Sequence, residues 1–378
     1  MAEKPRIRNN ICMNVDPEGL VKFLKRDIAY AESHKRTGGP SYVLVLGCST
    51  GYGLASRIVS AFSYGAATVG VSFERKPSEG KQGTPGFYNN EAFEAEAKKR
   101  NISAVTFEGD AFSLAVKNTV IAEAKRAGKK FDLVIYSLAT AVRTDERTGE
   151  SYRSVLKPLH APYSAKSLDF ITGEVKPVTI EPATEEEARA TVKVMGGEDW
   201  MDWMKSLAEA GVLAEGVTTL AYSYIGPAVT YPIYREGTIG KAKEHLENSA
   251  ATITNALSNI HGRAYVSVNK ALVTRASAVI PVVPLYISIL FKVMKQRGTH
   301  EGCIEQMERL FSERLYTGGP VPVDEDGRIR IDDREMQSDV QEEVSRLMEH
   351  ATTENIASIA DLEGYRRDFL ALHGFESL

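Results

Sequence analysis

Tyr42-Val43-Leu44-Val45-Leu46-Gly47-Cys48-Ser49-Thr50-Gly51-Tyr52-Gly53 runs directly into 54–62, a segment with helical apolar spacing. The five residues before Gly47 are a short apolar run, preceded by the turn signal Gly38-Gly39-Pro40, and this predicts a buried strand. Strand, glycine-rich turn and helix in that order bring backbone amides to a helix start, where they can face a pyrophosphate. The glycine spacing is Gly-x-x-x-Gly-x-Gly, not the Gly-x-Gly-x-x-Gly of the commonest dinucleotide motif. A dinucleotide reading therefore needs support from the units on either side.

That support follows in order. A second β-prone run, 67–73, ends in Phe73-Glu74, about 20 residues beyond the glycine loop, where an acid can grip a ribose 2′-hydroxyl. Glu74 thus favours NADH, since a 2′-phosphate would meet like charge, whereas the basic pair Arg75-Lys76 argues the other way. The segment 77–90 reads as an irregular loop suited to covering a cofactor. Strands at 104–107 and 133–135, with a helix pattern at 116–127 between them, continue the βαβ rhythm and predict a parallel sheet. The first ends at Gly109-Asp110-Ala111 and the second runs into Leu138-Ala139. If the sheet binds a dinucleotide at its carboxyl edge, Asp110 and Ala111 lie beside the adenine, with Leu138 and Ala139 beside the ribose and nicotinamide. Each is otherwise a plain strand end. The fold expected is α/β: a Rossmann-like parallel sheet flanked by helices.

Composition narrows the function classes. The 378 residues, 43% hydrophobic and 25% charged, suffice for a large core. They are read as one enlarged domain spanning 1–378. A net charge of −4 gives no bulk attraction to nucleic acid. Cys12, Cys48 and Cys303 are odd in number and far apart, as expected of reduced thiols in a cytoplasm. The polar N-terminus fits no signal peptide. The apolar run 276–291 is too short for a membrane span and holds Pro281 and Pro284, so it reads as a buried helix or an acyl-chain wall. The seven histidines show no metal-ligand spacing, and no metal is expected.

From 142 to 184 the rhythm breaks into short β-prone pieces with a turn at Thr172-Gly173, read as an inserted hairpin subdomain or substrate lid. Helices at 185–194 and up to 210 follow, with Trp200 and Trp203 as core packing. Then comes the stretch that carries chemistry. The β-prone run 217–225 stops at Gly226-Pro227, and a helix pattern resumes after Gly240, gathering Tyr222, Tyr224, Tyr231 and Tyr234 with Lys241 and Lys243. A hydride added to a carbonyl, or to the β-carbon of an unsaturated thioester, leaves negative charge on oxygen. A neutral phenol, reference pKa ~10, can hydrogen-bond or protonate that oxygen at pH 7, and a lysine can hold a ribose hydroxyl while lowering the phenol's pKa. Six residues separate Tyr234 from Lys241 and eight separate it from Lys243. Gly237 and Gly240 make an unbroken helix unfavourable there, so helical phase leaves both pairings open. A helix at 241–257, a strand at 264–268 and helices at 302–316, 335–350 and 362–372 complete the pattern.

The chain resembles the NADH-dependent trans-2-enoyl-CoA reductases and their FabV-type enoyl-acyl-carrier-protein reductase relatives. The resemblance rests on Arg6-Ile7-Arg8-Asn9-Asn10-Ile11-Cys12, Gly197-Glu198-Asp199-Trp200, Tyr222-Ser223-Tyr224-Ile225-Gly226 and His300-Glu301-Gly302-Cys303-Ile304-Glu305-Gln306, and it covers nearly the whole length. It implies an enlarged short-chain-dehydrogenase-like fold and a catalytic tyrosine with eight residues before its lysine, hence Tyr234 with Lys243. It also implies Tyr224 at the substrate carbonyl. The NADH contacts it implies come from Gly47, Cys48, Ser49, Thr50, Gly51 and Tyr52, from Phe73 and Glu74, from Asp110 and Ala111, from Leu138 and Ala139, and from Leu272, Val273 and Thr274, with Lys243. The segments 8–12 and 47–49 look closer to the coenzyme A type, so the expected substrate is an enoyl-CoA, with an enoyl-acyl-carrier protein as the alternative. The expected state is a cytoplasmic monomer or homodimer. A ketone or alcohol dehydrogenase built on the same tyrosine and lysine is a rival reading, and a non-catalytic NAD(H) sensor is another.

Overall fold

The computed structural model describes residues 4–8, 10–275 and 277–377. Helix α1, Pro17–Ser33, starts where Asp16 accepts from the amides of Glu18 and Gly19 and Pro17 pre-sets the first turn, and it buries Leu20, Leu24, Ile28 and Ala31. The strand and helix alternation then unfolds as β1 Tyr42–Leu46, α2 Gly51–Ile58, β2 Ala67–Ser72, α3 Pro85–Lys99, β3 Ala104–Glu108, α4 Leu114–Ala127 and β4 Phe131–Tyr136. After the insertion come α5 Glu185–Met195, α6 Glu198–Glu209, β5 Leu213–Ser223, α7 Thr238–Ala256, β6 Arg263–Val268, α8 Val283–Gln296 and α9 Cys303–Leu310. The C-terminal part holds β7 Ile329–Arg330, α10 Ser338–Glu349, α11 Ile356–Ile359 and α12 Leu362–Ala371.

The seven strands pair in parallel in the order β7-β6-β5-β4-β1-β2-β3. This is the 3-2-1-4-5-6 order of dinucleotide-binding sheets with one short strand added at the edge, so the α/β expectation holds. The register sets Leu44 beside both Val69 and Val134. All five residues of β1 and all six of β2 are buried, as the unbroken apolar runs require of strands covered on both faces. Strand order reverses between β1 and β4, which opens a crevice at their carboxyl ends.

Several boundaries differ from the sequence reading. The irregular stretch after Glu74 ends at Thr84, because Pro85 sits at the first position of α3 and its missing N–H is no loss there. β5 begins at Leu213 rather than 217, with an irregular register between Leu213 and Thr218 around Gly216 at φ 70°. Gly240 lies inside α7: a Cβ there would stand 1.9 Å from the Arg235 carbonyl oxygen, so close backbone approach, not helix breaking, accounts for this glycine.

The insertion forms two antiparallel hairpins, Val142–Thr144 with Ser151–Arg153 and Tyr163–Asp169 with Glu174–Ile180, the second turning at Gly173 with φ 83°. Leu168 and Phe170 join the core around α8, and Arg366 of α12 donates to the carbonyls of Phe170 and Ile171 at 2.6 and 3.1 Å. The apolar run becomes a 3-10 turn, Ser277–Val279, and then α8, buried continuously from Val283 to Phe291. Position 276 of that run lies outside the described residues. Trp200 and Trp203 are fully buried, their indoles donating to the Thr219 hydroxyl and the Ala111 carbonyl at 2.9 Å each. Among the described residues, no helix is long and apolar enough to cross a membrane.

Candidate active site

The turn after β1 is shaped by what it excludes. Gly47 has φ 84°, and a Cβ on it would lie 2.2 Å from the Ser137 carbonyl oxygen; one on Gly53 would lie 1.9 Å from the Gly47 carbonyl oxygen. The loop after β1 is thus pressed against the loop after β4, and α2 can begin right at the crevice. Thr50 holds the N-cap position of α2 but its hydroxyl makes no capping bond. The first-turn amides are left without a side-chain acceptor, which suits an anion. Cys48 is buried beneath the loop, its thiol pushed up to about 11 by desolvation. Tyr52 points the other way, donating its hydroxyl to the Lys270 carbonyl at 2.7 Å, with the Gln306 side-chain oxygen 3.2 Å away.

At the end of β2, Phe73 is 82% exposed, while the Glu74 side chain is largely covered. Glu74 Oε1 accepts from the Ser49 hydroxyl at 2.7 Å and from Arg275 at 3.3 Å. Gly86, at the start of α3, leaves the space this carboxylate fills, since a Cβ there would lie 2.2 Å from Oε1. Arg75 and Lys76 are exposed. The Asp110 carboxylate accepts from the Phe112 amide at 2.9 Å, and Ala111 is buried under it. Leu138 is half-buried against the glycine loop and Ala139 is exposed. Leu272 and Val273 are buried, and Thr274, tied down by Ser277 at 2.8 Å, comes within 4.0 Å of where a Gly51 Cβ would be. Segments distant in sequence therefore meet over the crevice.

The tyrosine stretch folds over the same edge. β5 stops at Ser223, Gly226 turns with φ 74°, and a 3-10 turn, Ala228–Thr230, leads to Tyr234, whose amide donates to the Thr230 carbonyl at 3.0 Å. The rings of Tyr224 and Tyr234 meet edge to face, centroids 5.0 Å apart at 82°. Tyr222 points away, its hydroxyl 2.6 Å from that of Ser56 on α2. The two lysines also diverge. Lys241 is exposed, whereas Lys243 turns inward and donates to the Tyr222 carbonyl at 3.3 Å. Burial lowers the Lys243 pKa to about 8, with Glu247 opposing, and burial with the nearby Glu335 raises those of Tyr224 and Tyr234 well above the usual phenol range. Both phenols are neutral at pH 7.

Two groups at the site escaped the sequence reading. Glu335, fully buried, takes the hydroxyls of Tyr224 and Tyr286 on Oε1 at 3.2 and 2.6 Å and the Ala271 amide on Oε2 at 2.7 Å. Arg275 is the second, paired with Glu74. The only sequence signal was Tyr286, a polar group inside an apolar run, which implied a buried partner. Among the described residues no group of three or more His, Cys, Asp or Glu side chains is arranged to hold a metal ion.

The chain is similar to known proteins along its whole length. Residues 2–79 match the family described as the NAD(P)H binding domain of trans-2-enoyl-CoA reductase, and residues 81–316 match its catalytic region. Residues 323–377 match an enoyl reductase FAD binding domain. Here that segment is β7 with α10, α11 and α12. Its strand is two residues long and leads into Ile331-Asp332-Asp333 rather than a glycine turn. Its buried acids Asp332 and Glu335 are taken up by the fold's own donors, Asp332 by Arg330 at 2.8 and 2.7 Å. These residues do not fit a flavin. The chain is 58% identical to the NADH trans-2-enoyl-CoA reductase of Treponema denticola, over 100% of this chain and 96% of that one. It is also 58% identical to the NADH enoyl-acyl-carrier-protein reductase of Cytophaga hutchinsonii, over 99% and 95%. The crystal structure of the Treponema denticola reductase in complex with NAD superposes with a TM-score of 0.95 at 57% identity, covering 100% of this chain and 96% of that one. With family matches covering both the nucleotide crevice and the tyrosine stretch, and relatives at this identity along the full length, the chain belongs to the trans-2-enoyl-CoA reductase family.

Proposed function

We propose that this protein reduces the carbon–carbon double bond of a trans-2-enoyl-CoA with NADH. The observation that carries the reading is the edge-to-face pair of neutral phenols, half-buried Tyr224 and buried Tyr234, following the strand whose Tyr222 carbonyl holds the inward-turned Lys243 in a glycine-loop sheet. NADH, when bound, supplies the hydride that adds to the β-carbon. The uncapped first turn of α2, with Gly47, Cys48, Ser49, Thr50, Gly51 and Tyr52, holds the pyrophosphate, and Glu74 accepts from the ribose hydroxyls. Phe73, Asp110 and Ala111 would contact the adenine end, Leu138 and Ala139 the ribose and nicotinamide, with Leu272, Val273 and Thr274 as further cofactor contacts. Lys243 donates to the ribose and places positive charge near Tyr234. Hydride addition builds an enolate on the thioester, so a donor must already face that oxygen; Tyr234 donates there and supplies the proton, with Tyr224 beside it.

Tyr234→Phe should lower kcat by roughly 10²–10⁴ while NADH still binds. Near-wild-type turnover in that variant would remove Tyr234 from the mechanism. The Cytophaga hutchinsonii relative favours a second reading, an acyl-carrier protein in place of coenzyme A. One short trans-2-enoyl group assayed on both carriers decides between them, and a much higher kcat/KM on the carrier protein would overturn the coenzyme A assignment.

A further inference from the structure

Glu335 lies in the turn before α10, 111 residues beyond Tyr224 in the chain, and is fully buried. Removing a carboxylate from water costs several kcal/mol unless it is fully hydrogen-bonded. Three donors meet this one, and they come from three places: Tyr224 after β5, Tyr286 on α8 and the Ala271 amide after β6. Gln341 of α10 holds the arrangement from behind, donating to the Tyr286 hydroxyl at 3.1 Å and to the Glu335 carbonyl at 2.7 Å.

The choice of donors is informative. Ala271 is the residue immediately before Leu272, Val273 and Thr274, so one oxygen of Glu335 fixes the backbone of the segment over the glycine loop and the other fixes a tyrosine of the reaction centre. An ionised carboxylate only accepts, and a phenol has one proton to give. While Glu335 holds that proton, the Tyr224 ring is fixed edge to face against Tyr234, and Tyr234 is left as the proton donor.

We infer that Glu335 is a positioning residue for the reduction, acting through Tyr224 and locking it to the 271–274 segment. This rests on the reading of Tyr224 as a substrate-facing residue. Glutamine keeps the size of Glu335 but offers one acceptor oxygen and one donor nitrogen, so it cannot accept on both sides.

The test is a double-mutant cycle on the full chain, with kcat, KM for a trans-2-enoyl-CoA, KM for NADH and Tm read for Glu335→Gln, Tyr224→Phe and the double variant. Glu335→Gln should lower kcat at least tenfold while the KM for NADH changes less than threefold. In the Tyr224→Phe background it should cost less than a further twofold. Undiminished cost in that background overturns the inference, as does a lowered Tm with kcat per folded molecule unchanged. If Glu335→Gln does not fold, Glu335→Asp, too short to span both partners, takes its place in the cycle; failure of both to fold makes Glu335 a stability residue and also overturns it. Tyr224→Phe with unaltered enoyl-CoA kinetics would instead overturn the reading of the site itself.

Discussion

Replacing Glu74 by serine should loosen the preference for NADH, by an amount the structure bounds. The carboxylate is held toward the glycine loop by Ser49 at 2.7 Å, with its side chain only 6% exposed. A 2′-phosphate in place of the ribose hydroxyl would bring like charge to about 5 Å. At an effective dielectric of ~20 that costs about 3 kcal/mol, roughly a hundredfold in affinity. Arg275, at 3.3 Å from the same oxygen, works against this, but its side chain is 44% exposed and solvent-screened, so its offset is about 1 kcal/mol or less. The unmodified protein should therefore prefer NADH by about thirtyfold to a hundredfold in kcat/KM.

Glu74→Ser should raise kcat/KM for NADPH about tenfold or more, and lower that for NADH only by the roughly 1 kcal/mol of a lost hydrogen bond. Arg275→Ala should move the other way, widening the preference for NADH, because it leaves the Glu74 charge unopposed. The assay is steady-state oxidation of each cofactor with one saturating enoyl-CoA. A cofactor ratio within twofold of the parent in Glu74→Ser would mean that the carboxylate does not face the ribose, and the argument from Ser49 and Gly86 would fail with it.

Lys243→Met should cripple turnover and weaken NADH binding while Lys241→Met, at an exposed position, stays near wild type; the reverse result would restore the shorter spacing. Because burial lowers the Lys243 pKa from 10.5 to about 8, its charge is present below about pH 8 and lost above, so kcat/KM should fall as pH rises through about 8, and Lys243→Arg should move that limb upward. The same shift destabilises the fold: the unfolded chain keeps the proton up to about 10.5, so the cost is full below about pH 8 and fades above, and Lys243→Met should raise Tm at pH 7. Ile287 and Ile289 are both fully buried on α8; if the helix walls the acyl chain, Ile→Phe at one of them shifts chain-length preference, whereas loss of roughly 1–3 kcal/mol at both with no shift makes it plain core. Gly53→Ala, which puts a Cβ against the Gly47 carbonyl, should abolish NADH binding, and unchanged affinity by titration would show that the glycine turn is not the cofactor seat.

What the sequence revealed followed the range of the interactions. The strand, glycine turn and helix around Gly47 are local, and so is the step from β5 through Tyr234 to α7, which is why the sheet and the tyrosines could be read directly. The choice between Lys241 and Lys243 could not be, because Tyr234 sits in a turn outside α7 and helical phase does not connect them. The Glu74 contact with Arg275 spans 201 residues and that of Tyr224 with Glu335 spans 111. No periodicity links such pairs, and Arg275 and Glu335 read as ordinary loop residues. α3 went unread for a different reason: Pro85 and Gly86 look like loop residues, yet one starts the helix and the other makes room for Glu74.

The acyl carrier is written less plainly in the chain than the reaction, for a reason that lies in the chemistry. Hydride addition and protonation involve the enoyl group and its thioester oxygen, which are the same on either carrier, so the groups proposed to act there, Tyr234, Tyr224 and Lys243, cannot tell the carriers apart. The carriers differ only at the far end of the thioester's arm, a nucleotide in one and a protein surface in the other. Recognition must therefore fall on residues outside the tyrosine cluster, at the surface where the arm enters. Two relatives with equal 58% identity and differently named carriers are what this division predicts: a shared reaction centre with the carrier chosen at its rim. Substitutions in the tyrosine cluster should accordingly change kcat on both carriers by the same factor, and a variant there that altered the ratio between carriers would place carrier recognition inside the reaction centre after all.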